Sequence, residues 1–214
     1  MPERKSQPSS LAAFCARDVH WIGEEKWRRY AVLLPLFRKN SEVHVLFEKR
    51  AYTLHQQPSE TSFPGGRIEA QETALEAAVR ETCEELCVSK EQIRVFGPTD
   101  CYLSHTQRKI EPFIGALDAY QGTYSTDEVA YPFSVPLSVL MEAKPAVYRN
   151  KLLQKADEYF PYDLVPGGKD YPWEHGTHEI LFYRCGEEVI WGITARILHA
   201  ALPLIRAYHL AEYV

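Results

Sequence analysis

Residues 66–88 read GRIEAQETALEAAVRETCEELCV, and the interpretation of the whole chain depends on this stretch. The run from Thr73 to Glu76 has the pattern of a capping box, which marks the first turn of a helix. Apolar or partly apolar residues then recur at helical spacing. We therefore predict a helix beginning at Thr73, with one stripe of side chains packed on a core, formed by Leu75, Val79, Thr82 and Leu86.

The predicted helix concentrates carboxylates on another face. Glu81, Glu84 and Glu85 lie within about 100° of one another around the helix axis. Such like charges repel by a few tenths of a kcal/mol per pair. Arg80 can bridge Glu76 and Glu84 but cannot neutralise three acids, whereas hard divalent cations such as Mg²⁺ prefer oxygen ligands of this kind. The pattern favours a magnesium-type site, and a solvated glutamate-rich face is the alternative interpretation.

Composition narrows the class of protein. The 214 residues are 45% hydrophobic and 25% charged, which is typical of a globular domain. The net charge is −5, and residues 66–88 alone contribute −4 through six glutamates and two arginines. Because the chain has no broad basic field and no apolar run near the roughly 20 residues of a membrane span, we expect neither a nucleic-acid nor a membrane partner.

Five scattered cysteines and a polar N-terminus without a signal-peptide pattern predict a cytoplasmic protein.

The pattern along the chain predicts a single mixed domain of the α/β class. Residues 1–28 are expected to form an N-terminal tail and a short lead-in segment, and residues 29–210 the domain itself. Residues 30–37 and 42–49 predict a hairpin. Residues 144–179, rich in aromatics and proline, predict an ordered excursion over the core. A polar loop is expected at 52–62, and a closing hairpin at 179–191. Further strands are expected at 93–96, 101–104, 111–117 and 133–135, and helices at 136–143 and 194–208.

The spacing of the polar residues in the acidic segment resembles the Nudix box, G-x5-E-x7-R-E-U-x-E-E-x-G-U, in which U is apolar. The positions that match are Gly66, Glu72, Arg80, Glu81, Glu84, Glu85 and Val88. The resemblance implies an α/β/α sandwich around a mixed β-sheet and hydrolysis of a nucleoside diphosphate linked to another group. Thr82 departs from the motif at an apolar position. Cys87 replaces a glycine where the helix would end in a left-handed residue, at a cost of about 1 kcal/mol.

The segment before the box is similar to the signature of coenzyme A pyrophosphatases, R-[SA]-x3-R-x3-G-x3-F-P-G-G. Arg50, Ala51 and the run from Phe63 to Gly66 match it, whereas His55 replaces an arginine and Ser59 a glycine. The resemblance implies cleavage of coenzyme A or a derivative to 3′,5′-ADP and 4′-phosphopantetheine. The two departures leave ADP-ribose or another dinucleotide open as the substrate.

The same resemblance implies roles for individual residues and a Mg²⁺ or Mn²⁺ cofactor. Glu81 and Glu85 are expected to bind the metal directly, Glu84 directly or through water, and Gly65 through its carbonyl. Arg80 would orient the glutamates. Glu72, at the helix entrance, would stabilise the loop or the hydration shell of the metal.

The remaining assignments concern the substrate and the general base. Glu128, which precedes the predicted strand at 133–135, is nominated as the general base, with a solvated loop acid as the alternative. Arg50 and Arg67 lie near the double glycine and are candidates for binding phosphate, Arg50 being preferred. His175 and His178 do not fit a zinc motif and are interpreted as turn histidines.

The expected partner is therefore a small-molecule nucleoside diphosphate, and a homodimer is left open. A catalytically silent nucleotide-binding protein of the same fold is the alternative from another functional class, motivated by Cys87.

Overall fold

A computed structural model describes residues 10–18 and 20–214 of the protein. Residues 1–9 and 19, which belong to the predicted N-terminal tail and lead-in segment, lie outside the described residues. The rest of that segment contains a short helix and a single 3₁₀ turn, Glu24–Lys26. Among the helices of the described part, none has the length and apolar character needed to cross a membrane.

The described part of the chain contains eleven strands and four α-helices, numbered here in chain order. The strands are β1 (Arg28–Lys39), β2 (Glu42–Arg50), β3 (Thr61–Ser62), β4 (Gly65–Arg67), β5 (Ile93–Pro98), β6 (Tyr102–Leu103), β7 (Arg108–Leu117), β8 (Val129–Pro136), β9 (Ala146–Leu152), β10 (Gly176–Cys185) and β11 (Glu188–Trp191). The helices are α1 (Ser10–Cys15), α2 (Ala74–Leu86), α3 (Leu137–Glu142) and α4 (Gly192–Ala207).

The first eight strands form one mixed sheet. Strand β1 pairs in parallel with β7 and antiparallel with β2, and β8 lies antiparallel to β2. The predicted hairpin of β1 and β2 is confirmed, but its turn is shorter than the four residues expected. Only Asn40 and Ser41 form it, and both have positive φ (50° and 66°), the geometry of the two-residue turns that match strand twist.

Strands β1 and β2 pair with each other only near their turn, and two short strands occupy the gap beyond it. Strand β4 pairs with β1, so that Gly65 lies opposite Val32, and β3 pairs with β2, so that Thr61 lies opposite Lys49. The sequence predicts a loop up to the double glycine, whereas the structure has these short paired strands directly before and at the glycines. Gly65 has a φ of 149°, and a Cβ there would come within 2.6 Å of the Val32 Cα, so the pairing requires glycine.

Helices cover both faces of the main sheet, as the α/β/α prediction requires. Alternate residues of β1 point to opposite faces. Ala31 and Leu33 pack against Ala77 and Ala78 of α2. The opposite face packs in a larger cluster with α4 and the second sheet, which includes Leu34, Leu36, Leu181, Leu198 and Ala201.

Helix α2 begins as predicted. Thr73 is its N-cap and forms both hydrogen bonds of the capping box with Glu76. The predicted packing stripe is only partly right, because Leu75 is 42% exposed. Small residues let the helix approach the sheet closely, so its buried face is formed by Ala77, Ala78, Thr82, Glu85 and Leu86. Glu85 therefore lies on the buried face and not on a separate charged one.

The two departures from the box are accommodated locally. Cys87 ends α2 in the left-handed conformation expected of that position (φ 51°, ψ 47°). The Thr82 hydroxyl is buried and donates to the Ala78 carbonyl at 2.7 Å, which satisfies its polar group within the helix. Ser59, in the glycine position of the upstream signature, also has a positive φ of 62°. Cys87 and Ser59 thus keep the left-handed backbone geometry that a glycine at either position would adopt.

The excursion at 144–179 contains more regular structure than the sequence indicates. Strand β9 lies within it and pairs with β10, and β10 pairs with β11 to form a second, three-stranded sheet. The predicted closing hairpin is the β10–β11 pair. Aromatic side chains of the excursion pack on one another: the Phe160 ring centroid lies 5.0 Å from that of Tyr162 and 5.5 Å from that of Trp173.

Candidate functional site

Three carboxylates converge where α2, the β4 strand and the loop before β8 meet. Glu81, Glu85 and Glu128 each offer an oxygen, and these oxygens lie within 4.8 Å of one another. We call these residues the carboxylate cluster. Two of them come from the box on α2 and the third from a position more than 40 residues later. All three were nominated from the sequence, and the structure brings them together.

Glu85 is the most buried member of the cluster. Its side chain is 3% exposed, and its Oε2 accepts a hydrogen bond from the Gly65 N–H at 2.7 Å. Burial raises the pKa of Glu85 to about 10, with a further contribution from the nearby Glu48 carboxylate. An anion held in this way is costly without a positive partner.

Glu48 is a residue that the sequence analysis missed. It lies on β2, is 1% exposed, and its Oε1 accepts from the Ser62 hydroxyl at 3.0 Å. Its Oε2 is buried without a hydrogen-bond partner among the described residues. Burial raises the pKa of Glu48 to about 7, and Glu128 and Glu81 add to the shift. The only signal in the sequence was an acid directly after the apolar run VLF in a predicted strand.

Arg80 organises the acids of the box. Its guanidinium donates twice to Glu72, at 2.9 and 3.1 Å, in the bidentate geometry that favours arginine. It also donates to Glu81 at 2.9 Å and to Glu84 at 3.3 Å. The expected bridge from Arg80 to Glu76 is absent from the described contacts, because Glu76 is engaged in the capping box with Thr73.

Glu84 and the Gly65 carbonyl are not shown among the oxygens that converge in the carboxylate cluster. The Glu84 side chain is 58% exposed and pairs with Arg80, and it is not in the group of three converging carboxylates. Gly65 meets the cluster through its N–H, which donates to Glu85. Direct metal binding by Glu84 and by the Gly65 carbonyl therefore stays a prediction.

Gly66 makes room for Glu81. A Cβ built on Gly66 would overlap the Glu81 carboxylate, so any side chain at this position would displace that group. Half-burial raises the pKa of Glu81, while the Arg80 guanidinium opposes the shift. The second glycine of the pair is therefore required by the cluster, just as Gly65 is required by the sheet.

Backbone hydrogen bonds hold the Glu128 loop against the site. The Ser125 N–H donates to the Glu85 carbonyl at 2.8 Å, and the Ala51 N–H donates to the Glu128 carbonyl at 2.8 Å. The Thr123 hydroxyl donates to the Leu86 carbonyl at 2.7 Å. Glu128 is exposed, yet its backbone is fixed to both the end of α2 and the end of β2.

A cavity of about 470 Å³ opens beside the cluster. Gly65 and Gly66 line one part of it, and residues of β10, β11 and α4 line another. Arg50 lines this cavity, as preferred from the sequence, whereas Arg67 is exposed and outside its lining. His178 lies in β10 and also lines the cavity, so its interpretation as a turn histidine was wrong.

The site suits a hard divalent cation. Three converging carboxylates supply oxygen ligands, and the buried, unpartnered Oε2 of Glu48 adds to the negative potential. Hard cations such as Mg²⁺ take six oxygen ligands, several of them waters. The donors present fit such an ion, whose charge would stabilise the ionised forms of Glu85 and Glu48 that burial and, to a lesser degree, mutual repulsion disfavour.

Comparison with known proteins places this geometry in a family. Residues 27–181 match the family model of the NUDIX domain. The uncharacterized Nudix hydrolase NudL of Enterobacter sp. (strain 638) is 28% identical over 174 residues, which cover 80% of this chain and 79% of that protein. Nudix hydrolase 3 of Caenorhabditis elegans is 26% identical over 181 residues, covering 82% of this chain and 72% of that protein.

A third relative carries a more specific name. The peroxisomal coenzyme A diphosphatase NUDT7 of Mus musculus is 29% identical over 136 residues, covering 62% of this chain and 56% of that protein. The match to the NUDIX domain spans well over half of the chain. The chain therefore belongs to the Nudix family of hydrolases, which act on pyrophosphate bonds.

Proposed function

We propose that the protein is a Mg²⁺- or Mn²⁺-dependent diphosphohydrolase that cleaves coenzyme A or a derivative to 3′,5′-ADP and 4′-phosphopantetheine. The observation that carries the proposal is the cavity beside the carboxylate cluster. Its lining includes Arg50 and Phe63 of the upstream signature, and Gly65 and Gly66 lie between it and the cluster. The name of the mouse relative supports the same substrate.

Glu81 and Glu85 are the proposed metal ligands, with Glu84 bound directly or through water and the Gly65 carbonyl as a further donor. A divalent cation at such a site neutralises charge on a diphosphate and lowers the pKa of a bound water. The acidic site then becomes compatible with an anionic substrate.

The surrounding residues position these groups. Arg80 holds Glu81 and Glu84 from one side and is itself fixed by Glu72. We propose Glu128 as the general base, because its carboxylate reaches the cluster while remaining exposed to water. Arg50 is proposed to contact the phosphates of the substrate, and we propose no substrate contact for Arg67.

A substrate panel tests the proposal. Purified protein is incubated with Mg²⁺ and, separately, coenzyme A, ADP-ribose and a dinucleoside polyphosphate, and the products are separated by chromatography. We expect coenzyme A to give 3′,5′-ADP with a kcat/KM at least about tenfold above the others, since pocket contacts commonly discriminate by that much. Cleavage of ADP-ribose without cleavage of coenzyme A would reject the preference and keep the diphosphohydrolase.

The catalytically silent alternative is separated by the same panel. It predicts tight nucleotide binding without hydrolysis of any member. Its motivation was Cys87, but Cys87 keeps the left-handed helix end, and the carboxylate cluster assembles beside it. The geometry therefore favours the enzyme.

A further inference from the structure

Two arginines in the cavity have a buried nitrogen that no other described residue satisfies. The Nε atoms of Arg50 and Arg108 are both buried and have no hydrogen-bond partner among the described residues. Both residues line the cavity. A buried donor left unpaired has lost its hydrogen bonds to water without replacement, so such groups are uncommon unless a ligand completes them.

The remaining contacts of these arginines are weak. The Arg50 Nη2 donates to the Gln56 carbonyl at 3.5 Å, and the Arg108 Nη1 donates to the Gln57 Oε1 at 3.4 Å. Within residues 10–18 and 20–214, neither guanidinium is paired with an acid. Other arginines of the chain are paired, for example Arg29 with Glu111 at 2.8 Å. Arg50 and Arg108 thus retain most of their capacity to bind an anion.

Two histidines lie in the same cavity lining as Arg50 and Arg108. We call these four residues the basic wall. The rings of His105 and His178 lie 5.0 Å apart and both line the cavity. Glu60 is an acid in the same lining, and its Oε2 already accepts from the Gln57 amide at 2.9 Å. The wall therefore has two arginines and two imidazoles that can donate hydrogen bonds, against one engaged carboxylate.

The backbone of Arg108 is offset along the sheet from the glycines beside the carboxylate cluster. Arg108 is in register with Arg28 of β1, and Gly65 is in register with Val32. Four residues along a strand correspond to about 13 Å, which is farther than one diphosphate group extends. Arg50 is closer to the cluster, because the next residue, Ala51, donates its N–H to the Glu128 carbonyl at 2.8 Å.

We propose that Arg108, with His105 and His178, forms an anion subsite for a phosphomonoester of the substrate that is not part of the scissile diphosphate, whereas Arg50 keeps its proposed role at the diphosphate. That the anion belongs to the substrate rests on the proposed function, whereas anion binding itself does not. Arg108 would donate through Nε and one terminal nitrogen, the bidentate geometry that matches a phosphate. The class of ligand is a nucleotide with a second phosphate on its ribose.

Isothermal titration calorimetry in EDTA tests the subsite without metal or turnover. The probes are 3′,5′-ADP and 5′-AMP, which differ by the second phosphate. For the wild type we expect 3′,5′-ADP to bind about tenfold or more tightly than 5′-AMP, since a charge-assisted hydrogen bond contributes that much. Arg108→Gln should reduce the preference to about twofold or less.

Two further variants make the result specific. Arg149→Gln removes an arginine that pairs with Glu179 at the surface and is outside the cavity lining, and it should keep the wild-type preference. Arg108→Lys keeps the charge without the planar guanidinium and should give an intermediate preference for 3′,5′-ADP. If Arg108→Gln does not fold, Arg108→Lys takes its place in the test.

The proposal is overturned if the wild type does not distinguish the two nucleotides, or if Arg108→Gln distinguishes them as the wild type does. Because the titration measures binding and not hydrolysis, it still tests the subsite if no member of the substrate panel is cleaved. Conversely, cleavage of coenzyme A with no preference between the probes would reject only the subsite.

Discussion

Replacing Glu128 by glutamine should lower kcat by about 10²- to 10⁴-fold, the usual contribution of a general base. The amide cannot accept a proton from water, although it has nearly the same shape. The Glu128 backbone is fixed by Ser125 and Ala51, so the substitution should leave the loop in place. The measurement is steady-state hydrolysis of the best substrate from the panel at saturating Mg²⁺.

Asp127→Asn is the matched control, because Asp127 is the neighbouring exposed acid and lies outside the carboxylate cluster. It should retain activity within about threefold of wild type. A Glu128→Gln enzyme that keeps wild-type kcat would show that the base comes from elsewhere, with the box acids of α2 as the next candidates.

Raising the pH should destabilise the metal-free protein, through Glu48 and Glu85. Their pKa values are raised from 4.5 to about 7 and about 10 by burial. Above pH 4.5 the unfolded chain releases protons that the folded protein still holds, so the free energy of unfolding falls with pH. This stability is fully present below pH 4.5 and is lost as the pH rises through 7 toward 10. At about 1.4 kcal/mol per pKa unit, several kcal/mol of the free energy of unfolding should be lost between pH 5.5 and pH 8.

Urea unfolding at pH 5.5 and pH 8, in EDTA and in Mg²⁺, measures this effect. Mg²⁺ should stabilise the protein more at pH 8, where the carboxylates lose their protons to bind it. Glu48→Gln isolates one contribution, because glutamine cannot titrate, and its metal-free stability should fall less between the two pH values. An identical pH dependence for Glu48→Gln and wild type would contradict the assigned pKa shift.

Much of the site was predictable because its spacing is local. One helix carries Arg80, Glu81 and Glu85, so the order of residues fixes their relative positions. The capping box at Thr73 marked the start of that helix, and the hairpin of β1 and β2 followed from two runs rich in β-branched, aromatic and leucine residues with a polar link between them. These features depend on contacts within a few residues of sequence.

Features that depend on distant pairing escaped the sequence analysis. Glu48 is buried because β3 returns beside β2 and places Ser62 against it. Similarly, β9 and β10 pair across more than 20 intervening residues rich in proline and aromatics, and periodicity does not reveal such a partner. His178 was misassigned for that reason, since its place in the cavity depends on this second sheet.

The sequence analysis also predicted the wrong buried face for part of α2. Large apolar residues suggested a stripe through Leu75, but the sheet is approached by Ala77 and Ala78. The close approach buries Glu85 and lets it accept from the Gly65 N–H. Helical spacing alone groups Glu85 with Glu84, although only Glu85 is buried.

We propose that Glu85, buried at the base of the cluster, binds a divalent cation that the exposed Glu84 binds less directly. Mn²⁺ titration followed by electron paramagnetic resonance tests it with wild type, Glu85→Gln and Glu84→Gln. Glu85→Gln should weaken Mn²⁺ binding by at least about tenfold, equivalent to 1.4 kcal/mol, and Glu84→Gln should weaken it less. Wild-type Mn²⁺ affinity in Glu85→Gln would contradict the claim.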